Sequence, residues 1–314
     1  MRAHNVYMNR MVLMVMVLYI SGSYLVYGLL SGFEITVVQE VLISQILLLG
    51  IPVITTYRNN VQVSSVYRIN PIEPASLVWV FMAAFCFYPL GTILNMLNRL
   101  LMDSQTSADT LSLMGEYSLP VSVVLLVIVP SVCEEVVFRG FIYSGYRPNG
   151  FWRASVLSSI LFALFHLNST KLLDTFVVGM FLCLLVEATG SILSSMTGHA
   201  VINGISVFLE YTISGSADES SSTAVNIEDI ISEYNNAGVP GGIYAGAIAS
   251  VVIFTLLCVV FVYLTIKTSG RNEIFIDVLK EKDVKRPAER IFSGALILVY
   301  LISVIYMVLY NVTG

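Results

Sequence analysis

Nine stretches of about twenty mainly apolar residues, separated by polar clusters, constrain this chain more than any other feature. They run Met11 to Leu30, Val37 to Ile54, Ser76 to Met96, Leu119 to Tyr143, Trp152 to Leu167, Leu172 to Thr189, Ile192 to Ile213, Ile243 to Ile266 and Ile291 to Tyr310. A hydrocarbon core about 30 Å thick is crossed by about 20 residues of helix. Lipid satisfies no backbone N–H or C=O, so a spanning stretch must pair its own backbone as a helix. Composition removes the soluble alternative. The chain is 56% hydrophobic and 12% charged, whereas a water-facing surface needs roughly 25 to 35% charged residues. The first stretch is too long for a signal-peptide core and has no small-residue cleavage site after it, so it reads as a span. The expectation is an all-α polytopic membrane protein. It forms one membrane domain over residues 1–314, with about nine transmembrane helices around an intramembrane polar cavity.

Positively charged loops resist translocation, so Lys and Arg set the orientation. With the N-terminus cytosolic, inner segments hold Arg2, Arg10, Arg58, Arg68, Arg139, Arg147, Arg153, Lys267, Arg271, Lys280, Lys282, Lys285, Arg286 and Arg290, and outer ones only Arg99 and Lys171. Strict alternation over nine spans puts the C-terminus outside, and the expected location is a bacterial cell membrane. The acidic, Ser-rich loop 215–240 is external, with a short amphipathic helix from Asn226. The charged loop 267–290 is read as a solvated cytosolic linker, and Glu187 as a solvated acid at an inner helix end. Gly242, Gly246 and Ser250 form a small-residue face suited to close helix packing. Basic residues form no continuous stripe and the net charge is −5, which argues against a nucleic-acid partner. The bilayer itself and a membrane peptide or protein substrate are the expected partners. Cys86, Cys133, Cys183 and Cys258 lie in apolar runs without a C-x-x-C pair and read as free thiols.

Ionisable groups inside a span cost several kcal/mol each and are functional by default. This chain gathers them. Glu134, Glu135 and Arg139 lie in the fourth stretch, His166 ends the fifth, and His199 and Asn203 lie in the seventh. Glu135 and Arg139 are four residues apart, acid first, the favourable order for an ion pair on one helix face. Glu134 is turned about 100° from Glu135 and stays free. His199 and Asn203 share a face, as do Phe162 and His166. At 1.5 Å per residue, His199 lies about 10 Å from the inner boundary, His166 about 18 to 20 Å and Glu134 about 8 Å; helix tilt closes that gap, and the expectation is one polar cavity in the inner half of the membrane, open to the cytosol.

A carboxylate, two imidazoles and a carboxamide in a dry pocket are the parts of water-activated acyl hydrolysis. Glu134 would take a proton from water that His166 positions. His199 and Asn203 would donate hydrogen bonds to the oxyanion that develops on the scissile carbonyl. Cys133 is beside Glu134 in sequence but turned away on the helix, and is set aside as a nucleophile. Glu134, His166 and His199 also have the composition of a catalytic zinc site with an open position. Their spacing is not that of H-E-x-x-H, and a metal-bound His166 and His199 could not both donate freely to an oxyanion. A metal-free glutamate mechanism is therefore favoured, with Zn2+ as the alternative.

Glu134-Glu135-Val136-Val137-Phe138-Arg139-Gly140 resembles the E-E-x-x-x-R motif of the CAAX protease and bacteriocin-processing (CPBP, or Abi) family of intramembrane endopeptidases. Phe162 to His166 is similar to its F-x-x-x-H motif, and His199 to Asn203 to its H-x-x-x-N/D motif. All three occur in order, within a family-like core of residues 119–213. The resemblance implies the helical fold of the prenyl-protein endopeptidase. It also implies that Glu134 and His166 activate water while His199 and Asn203 form the oxyanion hole, with Glu135, Arg139 and Phe162 in support. The expected function is an intramembrane endopeptidase acting on a membrane-associated or hydrophobic peptide, in CAAX-type or bacteriocin processing. The rivals are an ion-coupled transporter, for which the broken helices and inverted repeat are missing, and an inactive immunity or scaffold protein, which has no need of four polar groups in the membrane.

Overall fold

The computed structural model describes residues 2–29, 36–59, 62–102, 117–216, 241–280 and 293–313. Each of the nine apolar stretches contains a helix, and no strand occurs among the described residues. We number the helices α1 (Arg2–Leu29), α2 (Val37–Arg58), α3 (Pro74–Met102), α4 (the composite span Leu119–Asn149), α5 (Phe151–Phe165), α6 (Leu172–Thr189), α7 (Ile192–Ser216), α8 (Gly241–Thr268), α9 (Asn272–Lys280) and α10 (Gly294–Thr313). The protein is an integral membrane protein. Seven of these helices are long and apolar enough to cross a bilayer singly. The fifth and ninth stretches, among the described residues, form shorter apolar helices. With 15 residues, α5 reaches about 22 Å, short of a hydrocarbon core about 30 Å thick, and ends just before His166. The chain turns there, with the non-glycine Leu167 held at φ 51°.

Helix α6 is the most buried of the spans and forms the centre of the bundle, with α2 and α8 the least buried. It packs against α5 on one side and α3 on the other. Against α3, Phe181 stacks on Phe87 with ring centroids 4.3 Å apart. Against α5, Gly179 is the device for close approach: a Cβ there would lie 2.8 Å from the Ser159 Cβ and 3.0 Å from its Cα. Gly179→Ala should therefore force the two helices apart, at a cost of about 1 to 3 kcal/mol. Thermal unfolding of the purified protein measures it, and an unchanged midpoint would refute this account of the packing. Gly190 ends α6 in the left-handed conformation (φ 75°), with its N–H bonded to the Val186 carbonyl, as a C-terminal cap requires.

The segments assigned to one side by Lys and Arg come together at one end of the bundle. His4 bonds the Gly145 carbonyl, Asn5 and Asn149 bond each other, and Asn9 donates to Ser293. Asn70 donates to the Gly190 carbonyl, and Ser269 to that of Ala188. Their hub is Glu187. That residue corrects the sequence reading, because it is 2% exposed rather than solvated. It accepts hydrogen bonds from Arg68 (2.6 Å), Arg147 (3.0 Å) and Tyr143 (2.6 Å). Its backbone carbonyl accepts from Arg271 at 3.2 Å. A carboxylate at a wet helix end is indistinguishable in sequence from one that three donors enclose.

Two further expectations change. Part of the charged loop is the amphipathic helix α9, not a linker: Phe275 and Val278 are buried against the bundle. Gly246 meets nothing within 4 Å, so the small-residue face on α8 makes no close packing at that position. Most of the acidic loop, including the helix expected from Asn226, lies outside the described residues.

Candidate active site

The fourth span is not a uniform α-helix. Two π-helical segments, Val123–Ile128 and Val136–Tyr143, flank a short α-segment, Val129–Glu135, that carries both glutamates. Pro130 is one cause of irregularity, since it offers no N–H to the carbonyl of Leu126 four residues earlier. That carbonyl accepts a hydrogen bond from Asn203 Nδ2 on α7, at 3.2 Å. A backbone irregularity in α4 thus becomes an anchor for one of the four candidate residues.

The site divides into a buried half and an accessible half. In the buried half, Glu135 and Arg139 are both fully enclosed and paired at 2.6 Å. Arg139 Nη2 also donates to the Gly179 carbonyl at 3.3 Å. Its guanidinium lies 4.3 Å from the Phe162 ring centroid, a cation–π contact. Glu135 does more than the sequence suggests: its Oε1 also accepts from Nδ1 of His199, at 2.9 Å. Phe162 sits edge-on between both imidazoles, 4.8 Å from His166 and 5.9 Å from His199.

The accessible half consists of Glu134 and Asn203, half-buried, and His166, which is exposed. His166 Nδ1 is 2.8 Å from the Phe162 carbonyl. A carbonyl only accepts, so Nδ1 carries the proton and Nε2 presents a lone pair. Glu134 and His199 both lie within electrostatic range of His166. The structure therefore places His166 and His199 against Phe162, while Asn203 is held by the backbone of α4.

Sequence reasoning missed Gln45. This α2 residue donates from Nε2 to Glu134 Oε1 at 3.4 Å, and its own Oε1 is buried and accepts no hydrogen bond among the described residues. The signal was a carboxamide alone in the apolar run from Val41 to Leu49, but an uncharged polar residue in a span has many partners to choose from. Gln45→Leu removes the donor at nearly constant volume. Loss of one long hydrogen bond to a charged group is worth about 1.5 kcal/mol, so turnover of a cleaved substrate should fall about tenfold. Unaltered turnover in purified Gln45→Leu protein would show that Glu134 needs no such orientation.

No group of three or more His, Cys, Asp or Glu side chains among the described residues is arranged to hold a metal ion. Glu134, His166 and His199 are not such a group as placed. The bonds of His199 Nδ1 to Glu135 and of His166 Nδ1 to a backbone carbonyl leave Nε2 as the free nitrogen of each ring. All four cysteines are free, with Cys86, Cys183 and Cys258 buried.

Residues 116–205 match the family described as type II CAAX prenyl endopeptidase Rce1-like. That stretch contains all three motifs, and the resemblance to the CAAX protease family holds on it. No curated protein and no solved structure matches the chain.

Proposed function

From a chain whose residues 116–205 are Rce1-like, we propose an intramembrane endopeptidase that hydrolyses a peptide bond near the C-terminus of a lipid-anchored or hydrophobic peptide, using glutamate-activated water. The observation that carries this reading is the division of the site. Its two proton acceptors, Glu134 and His166 Nε2, lie on the accessible side, and the charged pair lies behind them. A water molecule has two protons to give. One hydrogen bond to Glu134 and one to His166 Nε2 hold it with a lone pair free for the scissile carbonyl. Glu134 takes the proton as the C–O bond forms, then passes it to the leaving amine as the C–N bond breaks.

His199 is constrained further. Its Nδ1–H is given to Glu135, so it can donate to an oxyanion only from Nε2, which requires the imidazolium form. Glu135 is then the shared counter-charge of Arg139 and His199. The enclosed cluster carries one net positive charge, suited to a developing alkoxide in a low-dielectric site. Asn203, fixed on the Leu126 carbonyl, would donate its second amide proton to the same oxygen.

The test is direct. Purified protein is incubated with a farnesylated peptide ending in a CAAX sequence, and the released tripeptide is followed by mass spectrometry. Membrane peptidomics of cells with wild type or Glu134→Ala covers other substrates. Failure of both to reveal a product dependent on Glu134 would remove the protease reading.

The clustering of the cationic helix ends supports a cytosolic N-terminus, an external C-terminus and access to the site from the cytosol. Single cysteines at Ser221 and Asn272, in a chain without the four native ones, test this. An impermeant maleimide applied to intact cells should label Ser221→Cys and spare Asn272→Cys. Labelling of Asn272→Cys alone, or of both equally, would overturn the orientation.

A further inference from the structure

Helix α3 supplies none of the residues placed in the site above, yet two of its side chains hold the segment that follows His166. Asn98, only 3% exposed, donates from Nδ2 to the Ser169 carbonyl at 2.8 Å. Asn95, three residues earlier on the same helix face, donates to Asp174 Oδ2 at 3.1 Å. Asp174 lies in the first turn of α6 and within electrostatic range of His166. The two carboxamides of α3 thus grip the connection between α5 and α6 in its middle and just past its end.

The connection is also held from within. His166 N bonds the Ala163 carbonyl and Leu167 N the Leu164 carbonyl, each at 3.2 Å, which tightens the last turn of α5. Leu167 then takes φ 51°, which a non-glycine residue keeps only where its surroundings over-determine it, and its side chain packs against the main core. Asn168 Oδ1 accepts from the N–H and the hydroxyl of Thr170 at 2.9 and 2.7 Å, capping the single 3-10 turn Ser169–Lys171. One turn cannot satisfy all of its own end groups, and the Ser169 carbonyl finds its donor in Asn98. His166 inherits this order. Its ring is tied through Nδ1 to the Phe162 carbonyl, so the direction of Nε2 follows the backbone that the turn holds.

We propose that Asn98 is a positioning residue for His166: through the Ser169 carbonyl it holds the turn that aims Nε2 at the attacking water. This rests on the protease reading above, in which Nε2 accepts a hydrogen bond from that water. Because Asn98 is buried, solvent does not compete for its bond, and the bond is stronger for it. Misplacing a reacting group by about 1 Å can cost about 100-fold in rate, so a link of this kind acts on turnover without touching substrate.

Asn98→Leu removes the donor at nearly constant volume. On the farnesylated peptide it should lower kcat by about 10- to 100-fold and leave KM within about twofold, since no substrate contact is lost. Asn98→His returns a ring N–H to the place of the amide nitrogen and should bring kcat back to within about threefold of wild type. A second measurement needs no cleavage. Diethyl pyrocarbonate acylates histidine, and peptide mass spectrometry gives the rate at His166 relative to the exposed His4. Freed from the turn, His166 should react at least threefold faster in Asn98→Leu and at the wild-type rate in Asn98→His. Asn168→Ala loosens the same turn from within and serves as the test if Asn98→Leu does not fold. Thr92→Ala, an exposed change on α3 whose hydroxyl bonds the Tyr88 carbonyl of its own helix, should alter neither measurement. Wild-type kcat and His166 reactivity in folded Asn98→Leu or Asn168→Ala protein would overturn the proposal. So would a fall in kcat without a change at His166, a KM change as large as that in kcat, or an equal effect of Thr92→Ala. If the wild type cleaves no peptide, the protease reading fails and the aim at water with it, whereas faster acylation of His166 still establishes that Asn98 holds the turn.

Discussion

Glu134→Gln should lower peptide cleavage by about 100-fold or more while the protein folds, inserts and unfolds as wild type does. Removal of a positioned general base typically costs 10² to 10⁴ in rate, and here the same carboxylate must also return the proton to the leaving amine. The substitution keeps volume and hydrogen-bonding capacity, so structure should not respond. Glu134 is half-buried and its one side-chain bond of note is the 3.4 Å contact from Gln45, which an amide oxygen can still accept. The measurement is tripeptide release from the farnesylated peptide together with thermal unfolding of the same preparation. Cleavage at the wild-type rate would eliminate Glu134 as the base, and with it the water held between Glu134 and His166.

The neighbouring glutamate should behave in the opposite way. Glu135→Leu leaves Arg139 wholly enclosed, with the Gly179 carbonyl and the Phe162 face in place of a counter-charge. Removing one member of a buried pair costs about 3 to 5 kcal/mol, enough to lower yield and unfolding temperature sharply. Adding Arg139→Met removes the stranded charge and should recover most of the stability, since an apolar pair of similar volume often replaces a buried ion pair without loss. Cleavage should not return in the double variant, because His199 has lost the acceptor of its Nδ1–H. Recovery of cleavage along with stability would show that the 2.9 Å contact between Glu135 and His199 plays no part in the reaction. The two glutamates are adjacent in sequence, yet one is expected to fail in turnover and the other in folding.

How much of this could be read from the chain differs from residue to residue. The pairing of Glu135 with Arg139 was legible because both lie on one helix, where a spacing of four fixes proximity. The packing of Phe162 beside His166 was legible for the same reason, although α5 ends at Phe165 and His166 lies just beyond it. The second contact of Glu135, with His199, was not, because it spans 64 residues and depends on how α4 and α7 approach. Gln45 was hidden likewise, at a separation of 89 residues from Glu134. Glu187 was misread outright: its environment is set by Arg68, Arg147 and Tyr143, from segments that meet only when the helix ends converge.

The sequence by itself determined the helical membrane architecture and the grouping of helix ends by charge. Lipid leaves the backbone no other way to satisfy its hydrogen bonds, and charge placement acts loop by loop, without reference to packing. It also determined which polar residues stand out in the membrane, since each is costly enough there to be visible against an apolar run. The tertiary structure alone decided what those residues face: which glutamate is enclosed, which imidazole nitrogen carries a proton, and that Asn203 rests on the carbonyl of Leu126. Hydrogen bonds act over about 3 Å, and no spacing within one helix specifies the separation of side chains on different helices to that precision.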